Sequence, residues 1–157
     1  MLSKLFLKLL GFLQGLFGAK PAPAPFPEPT STERITFARL HNLLVTKFPD
    51  AQVFLSDANY KLCSLDDIAL FLAQDQTNHA EYKAESFDCD DFSYRLMGQF
   101  SFHPWSDLAI GIVWTDKHAL NIFIDELYNA WFIEPQDDTV FTKLSNWQGS
   151  NVRLVVM

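Results

Sequence analysis

The chain has 157 residues, of which 48% are hydrophobic and 15% aromatic, and this length and composition predict a single domain with one core. The formal net charge is −7 and the 12 Lys and Arg residues form no basic run, which excludes DNA and RNA as expected partners because phosphate binding needs clustered positive charge. The two cysteines, Cys63 and Cys89, are too few for a disulfide-rich secreted scaffold, so both are predicted to be free thiols.

Residues 1–18 predict an amphipathic helix. Apolar residues recur at helical spacing from Leu2 to Phe17, while polar residues such as Lys4 and Lys8 fall on the opposite side. The segment is too short and too interrupted to span a bilayer, and Lys8 makes it a poor signal peptide. Two interpretations stay open: the helix binds a membrane surface or a partner protein, or it packs on its own domain.

Residues 19–29 contain five prolines at nearly alternate positions. This pattern is typical of an extended polyproline II spacer, because proline fixes its own backbone and cannot donate a hydrogen bond. The predicted organisation is therefore an amphipathic helix over residues 1–18, a Pro-rich linker over residues 19–29, and one domain over residues 30–157.

The first half of this domain predicts three helices. The first begins at a capping box on Thr30 and ends before Pro49, and the second follows Ser64. The third begins near residues 86–87 and runs through Phe100. Cys63 lies just outside the second helix and is interpreted as a small buried hydrophobic residue.

The second half of the domain predicts strands, because apolar and polar residues alternate there. The predicted strands are Leu108–Trp114, His118–Ile124, Tyr128–Glu134 and Val152–Val156. Helices followed by antiparallel strands are an α+β order. The predicted fold class is therefore α+β, with N-terminal helices packed on an antiparallel sheet and a separate N-terminal amphipathic helix.

Cys89 is the candidate catalytic nucleophile. It lies in the first turn of the third predicted helix, where unpaired backbone N–H groups and the helix dipole favour a thiolate. Cys63 lacks this position. Cys89 is therefore the thiol expected to react.

His118 and Glu134 are the candidate base and orienting acid. If a three-residue loop joins their strands, Ile124 pairs with Tyr128 and His118 lies directly opposite Glu134. Opposed residues have Cβ atoms about 4.5 to 5.5 Å apart, close enough for a carboxylate to orient an imidazole. Asn121 falls on the other face of the strand and is not expected to take part.

Asp88, Asp90 and Asp91 surround this cysteine in sequence, and like charge disfavours a thiolate. They could cap the helix, which is what Asp in a first turn usually does. They could instead bind a hard cation such as Ca²⁺, whose preference for oxygen ligands suits carboxylates. They could also leave the thiol protonated and inert.

These residues resemble a known group of enzymes. The run Asp-Cys-Asp-Asp-Phe resembles bacterial transglutaminase-like cysteine proteinases, and Trp131–Pro135 resembles the W-x-x-D-P ending of transglutaminase-like and papain-like enzymes. The segment 86–136 also resembles the C-terminal papain-like domain of a fungal agglutinin family, whose Cys-His-Glu site is calcium-dependent. The resemblance assigns Cys89 as nucleophile, His118 as base and Glu134 as orienting acid.

The resemblance implies a papain-like or transglutaminase-like fold and a thiol-dependent hydrolase or acyltransferase that acts on an amide bond of a peptide or protein substrate. It implies no required cofactor, with Ca²⁺ as an option. The chain departs from the pattern in having Glu for the commoner Asp or Asn, and in lacking a clear oxyanion-hole donor. Gln76 and Tyr82 are the candidates for that donor. Trp114, Trp131 and Trp147 could line a groove, but core filling is the favoured interpretation.

The alternative prediction comes from another functional class. A non-catalytic binding or structural module of the same fold could be anchored by its N-terminal helix to a membrane or to a larger assembly such as a virion. The Pro-rich linker favours this alternative, because a spacer between an anchor and a domain serves display as well as catalysis.

Overall fold

The computed structural model describes residues 27–149 and 151–157. The predicted amphipathic helix over residues 1–18 lies outside the described residues, as does most of the Pro-rich segment. Along the described chain the helices are α1 (Phe37–Lys47), α2 (Leu65–Leu72) and α3 (Cys89–Phe100), with a short 3₁₀ helix at Thr77–His79. The strands are β1 (Arg34–Thr36), β2 (Gln52–Phe54), β3 (Asn59–Lys61), β4 (Ile110–Thr115), β5 (Ala119–Ile124), β6 (Ala130–Glu134), β7 (Thr139–Phe141) and β8 (Val152–Val156).

Six of these strands form a mixed sheet in the order β2-β8-β4-β5-β6-β7, and β1 pairs with β3 in a separate two-stranded sheet. Strands β2 and β8 are parallel, and the other neighbours are antiparallel. Apolar residues on β5 alternate between two buried clusters, one shared with α1 and one shared with α2 and α3. The central strands are therefore buried on both faces.

The predicted fold class is wrong. Helices were expected first and antiparallel strands after them, whereas strands β1, β2 and β3 lie among the helices and the main sheet is mixed. The missed strands have three residues each, and β7 is equally short. So few residues cannot display an alternating pattern, and the pairing of these strands depends on distant partners.

The first helix illustrates this difference. Residues 34–36 form β1, and Ile35 pairs with Tyr60 of β3. Thr36, and not Thr30, provides the N-cap, because its side chain accepts a hydrogen bond from the Arg39 N–H. Thr30 instead donates its N–H to Asp67 of α2 at 2.8 Å.

Helix α3 begins at Cys89, two or three residues later than predicted. Residues 83–87 form a tight turn in which the Phe87 N–H donates to the Lys83 carbonyl, and Glu85 has a positive φ of 62°. Asp88 is the N-cap, with Asp91 as the other member of a capping box. This capping places Cys89 at the first helical position.

None of the helices in the described part of the chain has the length and apolar character that a membrane span requires.

Candidate functional site around Cys89, His118 and Glu134

Helix α3 is fastened to the sheet by a buried asparagine. Asn121 on β5 donates its side-chain N–H groups to the carbonyls of Ser93 at 3.1 Å and Gly111 at 3.2 Å. Ser93 in turn donates its hydroxyl to the Cys89 carbonyl at 2.8 Å. Sequence analysis excluded Asn121 from the site, and it contributes no group to it. It positions the first turn of the helix that carries the thiol.

The Cys89 thiol is partly buried against the start of β5, within hydrogen-bonding reach of the Ala119 backbone N–H. Burial raises the pKa of the thiol, the Ala119 N–H lowers it, and the negative charges of Asp88 and Asp90 raise it again. The net shift is upward. Burial and the flanking carboxylates thus oppose the effect expected of the helix start, as like charge beside the thiol predicts.

Cys63 is buried, and its thiol lies 3.8 Å from the Ala109 carbonyl. Burial raises the pKa of this thiol strongly, and the charges of Asp67 and Asp125 add to the effect. The prediction that Cys63 is a small buried hydrophobic residue is confirmed. Cys89 is the more accessible of the two thiols.

His118 and Glu134 form a buried pair. Nε2 of His118 lies 2.8 Å from Oε2 of Glu134, and their side chains are only 7% and 5% exposed. The predicted partnership is present, but the register that led to it is wrong. Ile124 pairs with Ala130 and not with Tyr128, so Glu134 falls opposite residue 120, two residues along the strand from His118. A slip of two residues keeps both side chains on the same face, and long side chains reach a diagonal neighbour.

Several groups hold this pair in place. The His118 backbone N–H donates to Oγ1 of Thr115 at 2.9 Å, and Thr115 also donates to the Gln148 carbonyl. The Gln148 amide donates to the same Glu134 oxygen at 3.4 Å. The Trp147 ring lies 5.0 Å from the imidazole and is 61% exposed. The preference for Trp147 as a core residue is therefore wrong: this ring covers the imidazole from the solvent side.

Gly149 directly follows Trp147 and Gln148, the two residues that contact the His118–Glu134 pair from this turn. Its φ is 89°, and a Cβ there would meet Oδ1 of Asp116 and lie 2.8 Å from Oγ1 of Thr115. Gly149→Ala is expected to lower the free energy of unfolding by about 2 kcal/mol in urea denaturation, because Ala resists this backbone conformation and has no room. Gly98→Ala is the matched control, since nothing lies within 4 Å of its Cβ position on α3. Equal losses in both variants would contradict the expectation.

The three predicted metal ligands take two different roles. Asp91 accepts the Asp88 backbone N–H at 3.1 Å and so acts in the capping box. The carboxylates of Asp88 and Asp90 and the thiol of Cys89 lie within 4.8 Å of one another. A hydrogen bond between the two carboxyl groups lowers the pKa of Asp88 and raises the pKa of Asp90. The carboxyl groups of the N-cap Asp88 and of Asp90 therefore lie in contact beside the thiol.

The two predicted oxyanion-hole donors, Gln76 and Tyr82, have no hydrogen bond to the Cys89 thiol among the described residues. The Gln76 side-chain amide donates to the Asp75 carbonyl at 3.3 Å, and the Gln76 backbone carbonyl accepts from the Arg95 guanidinium. Tyr82 is exposed. The N–H beside the Cys89 thiol belongs to the backbone of Ala119, which no side-chain motif in the sequence could indicate.

Comparisons with known proteins add the fold relationship. No family model and no curated protein sequence matches the chain. One similar solved structure is described as the PSL1a–E64 complex, with 24% identity and a TM-score of 0.68 over 79% of this chain and 51% of that chain. Another is the Polyporus squamosus lectin bound to the human-type influenza-binding epitope Neu5Aca2-6Galb1-4GlcNAc, with 23% identity and a TM-score of 0.65 over 79% of this chain and 49% of that chain.

These comparisons correct the interpretation drawn from sequence. The chain resembles structures of a lectin, and no family model supports membership of the transglutaminase-like or papain-like cysteine proteinases. The predicted papain-like fold and the predicted thiol-dependent hydrolase or acyltransferase are therefore not retained. The chain shares the fold of these lectin structures and spans about half the length of the chains that it matches.

Proposed function

We propose that this chain is a ligand-binding module whose site lies around the Cys89 thiol and the His118–Glu134 pair. The observation that supports this most is the buried 2.8 Å contact between His118 and Glu134, next to a thiol that rests against Ala119. Burying such a pair costs desolvation free energy, so its presence beside a thiol indicates a functional site. A carboxylate on one ring nitrogen fixes the imidazole and leaves the other nitrogen to face a ligand. Such a site holds a ligand without needing to turn it over.

The thiol makes this site chemically selective. An electrophilic ligand would be captured by Cys89: the sulfur forms a new bond to carbon, the leaving bond breaks, and the displaced group takes up the electron pair. E64, which is present in one similar structure, carries an epoxide. Opening of that ring by a thiol forms a C–S bond and breaks a C–O bond, and the oxygen takes a proton. E64 is therefore a direct probe of Cys89.

Labelling at neutral pH is the first test. Iodoacetamide is expected to modify Cys89 about 100-fold faster than Cys63, because Cys63 is buried and its thiol strongly resists ionisation. Mass spectrometry of the digested protein gives both rates in one sample, and Cys89→Ser is the control. E64 is expected to add its full mass at Cys89. Equal rates at the two cysteines, or faster labelling of Cys63, would overturn the proposal.

A reversible ligand is the second candidate. The lectin structure holds a sialylated trisaccharide, and a peptide or protein ligand was predicted for this chain from its sequence. Titration of the Cys89→Ser variant with the trisaccharide and with a peptide library separates these classes. The trisaccharide or a peptide would be assigned to this site as a non-covalent ligand if it binds Cys89→Ser and does not bind His118→Ala.

Calcium remains a proposal for Asp88 and Asp90. The carboxyl groups of Asp88 and Asp90 lie within 4.8 Å of each other and of the thiol, and their oxygen atoms are the ligands that Ca²⁺ prefers. Micromolar Ca²⁺ is expected to raise the melting temperature of the wild type and not that of Asp90→Asn. A shift of the same size in both proteins would show that calcium acts elsewhere.

Anchoring through residues 1–18 also remains a proposal. It rests on the amphipathic sequence pattern and the three lysines without any acidic residue in residues 1–26. Flotation with liposomes of anionic and neutral lipids is expected to carry the full chain upward, and deletion of residues 1–29 is expected to abolish this. A full chain that stays at the bottom with both lipids would exclude a membrane partner.

A further inference from the structure

A pocket of about 550 Å³ lies between α3 and the strands β4 and β8. Its lining residues are Tyr94, Met97, Ile112, Trp114, Arg153, Leu154, Val156 and Met157. This volume is within the range of small-molecule sites. The walls are almost entirely apolar, with one charged side chain.

One wall of the pocket is the strand neighbour of the residue that lies against the Cys89 thiol. Trp114 of β4 pairs with Ala119 of β5, and the Ala119 N–H is the group that lies against the thiol. Paired residues have Cβ atoms about 5 Å apart on one face of the sheet. Tyr94 lies five residues after Cys89 on α3, and its ring is 5.7 Å from that of Trp114. A ligand attached at Cys89 would therefore meet these two rings first.

Among the described residues, α3 packs mainly on β4 and β5, which leaves the apolar wall formed by β8 exposed on this face. Tyr94 is 55% exposed and Val156 is 39% exposed. Exposed apolar surface of this kind, rimmed by a polar group, marks interaction sites. The pairing of Trp114 with Ala119 places this surface beside the thiol, within reach of a ligand bound there.

Arg153 is directed toward the pocket by a β-bulge. Trp114 pairs with Leu154 and Thr115 pairs with Val152, so Arg153 is the extra residue of β8. A bulge redirects the side chain that it carries. The Arg153 Nε–H donates to the Thr115 carbonyl at 2.9 Å, which fixes the guanidinium at the rim. That bond uses one of five N–H groups, and the forked end can still bind a carboxylate in bidentate fashion.

We propose that this pocket holds an apolar side chain of the ligand, aromatic or large aliphatic, with an adjacent carboxylate paired to Arg153. The inference rests on the proposed binding site at Cys89 and adds the chemical class of its ligand. The apolar walls select the side chain, and the single guanidinium selects the negative charge beside it.

Three thiol-reactive probes test this selection. They are N-iodoacetyl-phenylalanine, its carboxamide, and N-iodoacetyl-glycine. In each reaction the Cys89 sulfur displaces iodide, so that a C–S bond forms and a C–I bond breaks. The phenylalanine acid is expected to react about tenfold faster than its amide, because only the acid can form the charge-assisted pair, and faster than the glycine acid, which lacks the apolar group.

Substitutions locate the effect. Arg153→Gln is expected to bring the acid-to-amide ratio close to one, and Val156→Glu is expected to slow the acid by placing a negative charge in the pocket. Arg95→Gln, on another side of α3, is the matched control and should leave the ratio unchanged. Equal rates for the acid and the amide in the wild type, or a ratio that survives Arg153→Gln, would overturn the pocket assignment.

A reversible measurement separates the pocket from the thiol. In Cys89→Ser, N-acetyl-phenylalanine is expected to shift the NMR signal of the Trp114 indole N–H, and N-acetyl-phenylalaninamide is expected to shift it much less. If no probe labels Cys89, the proposed function fails, but this titration still shows whether the pocket binds an apolar side chain with a carboxylate. If labelling succeeds and neither compound shifts the signal, the pocket assignment alone fails.

Discussion

Replacing Glu134 with Gln is expected to slow the alkylation of Cys89 by about 100-fold at neutral pH, which is the size typical of losing an oriented base. The pKa of the thiol is raised by burial and by Asp88 and Asp90, so ionisation depends on a neighbour that takes the proton. In the proposed site that neighbour is His118, whose ring lies 2.8 Å from the Glu134 carboxylate. Gln keeps the shape of the side chain and removes its charge. The rate is measured with iodoacetamide between pH 5 and 9.

Glu126→Gln is the matched control, because Glu126 is an exposed carboxylate on the β5–β6 loop. It should leave the rate and its pH profile unchanged. In Glu134→Gln the rate should be lower at every pH in this range, while the melting temperature changes little. A loss of equal size in both variants, or one that tracks unfolding, would remove His118 and Glu134 from the proposed site.

Asp125→Ala is expected to destabilise the protein by about 3 kcal/mol, because it removes a buried acceptor that four hydrogen bonds share. The Asp125 carboxylate accepts from the backbone N–H groups of Leu127 and Asn129, from the Asn129 amide, and from the Trp131 indole at 2.8 Å. These bonds shape the five-residue loop between β5 and β6, which sets the register that brings Glu134 to His118. The variant should therefore also slow alkylation of Cys89.

The stability conferred by Asp125 should depend on pH. Burial alone would raise the pKa of this carboxyl, but the hydrogen bonds from Trp131 and Asn129 outweigh it and hold the pKa below its usual value. A lowered folded-state pKa stabilises the native protein fully above the unfolded pKa, and this stability is lost as the pH falls through the folded value. The difference in unfolding free energy between wild type and Asp125→Asn should thus be constant near neutrality and shrink below about pH 4. A difference that grows on acidification would contradict the expectation.

The His118–Glu134 partnership could be predicted although the register could not. Side chains alternate between the two faces of a strand, so any shift of the register by an even number of residues keeps His118 and Glu134 on one face. The error of two residues therefore left their partnership intact. The error arose because the loop has five residues and not three. Asp125 binds the backbone two and four residues later, and Tyr128 adopts a positive φ of 64°. A non-glycine residue in that conformation gives no warning in the sequence.

The sequence by itself determined the features that depend on near neighbours along the chain. The placement of Cys89 in the first turn of a helix, the alternation that puts His118 and Glu134 on one face, and the apolar setting of Cys63 all follow from local patterns. Only the tertiary structure decided the features that join distant segments. It placed the Ala119 N–H against the thiol, Trp147 over the imidazole, and Arg153 at the rim of an apolar pocket. The physical reason is that these contacts depend on strand register, on a β-bulge and on the docking of α3, which are set by the free energy of packing between segments far apart in the sequence.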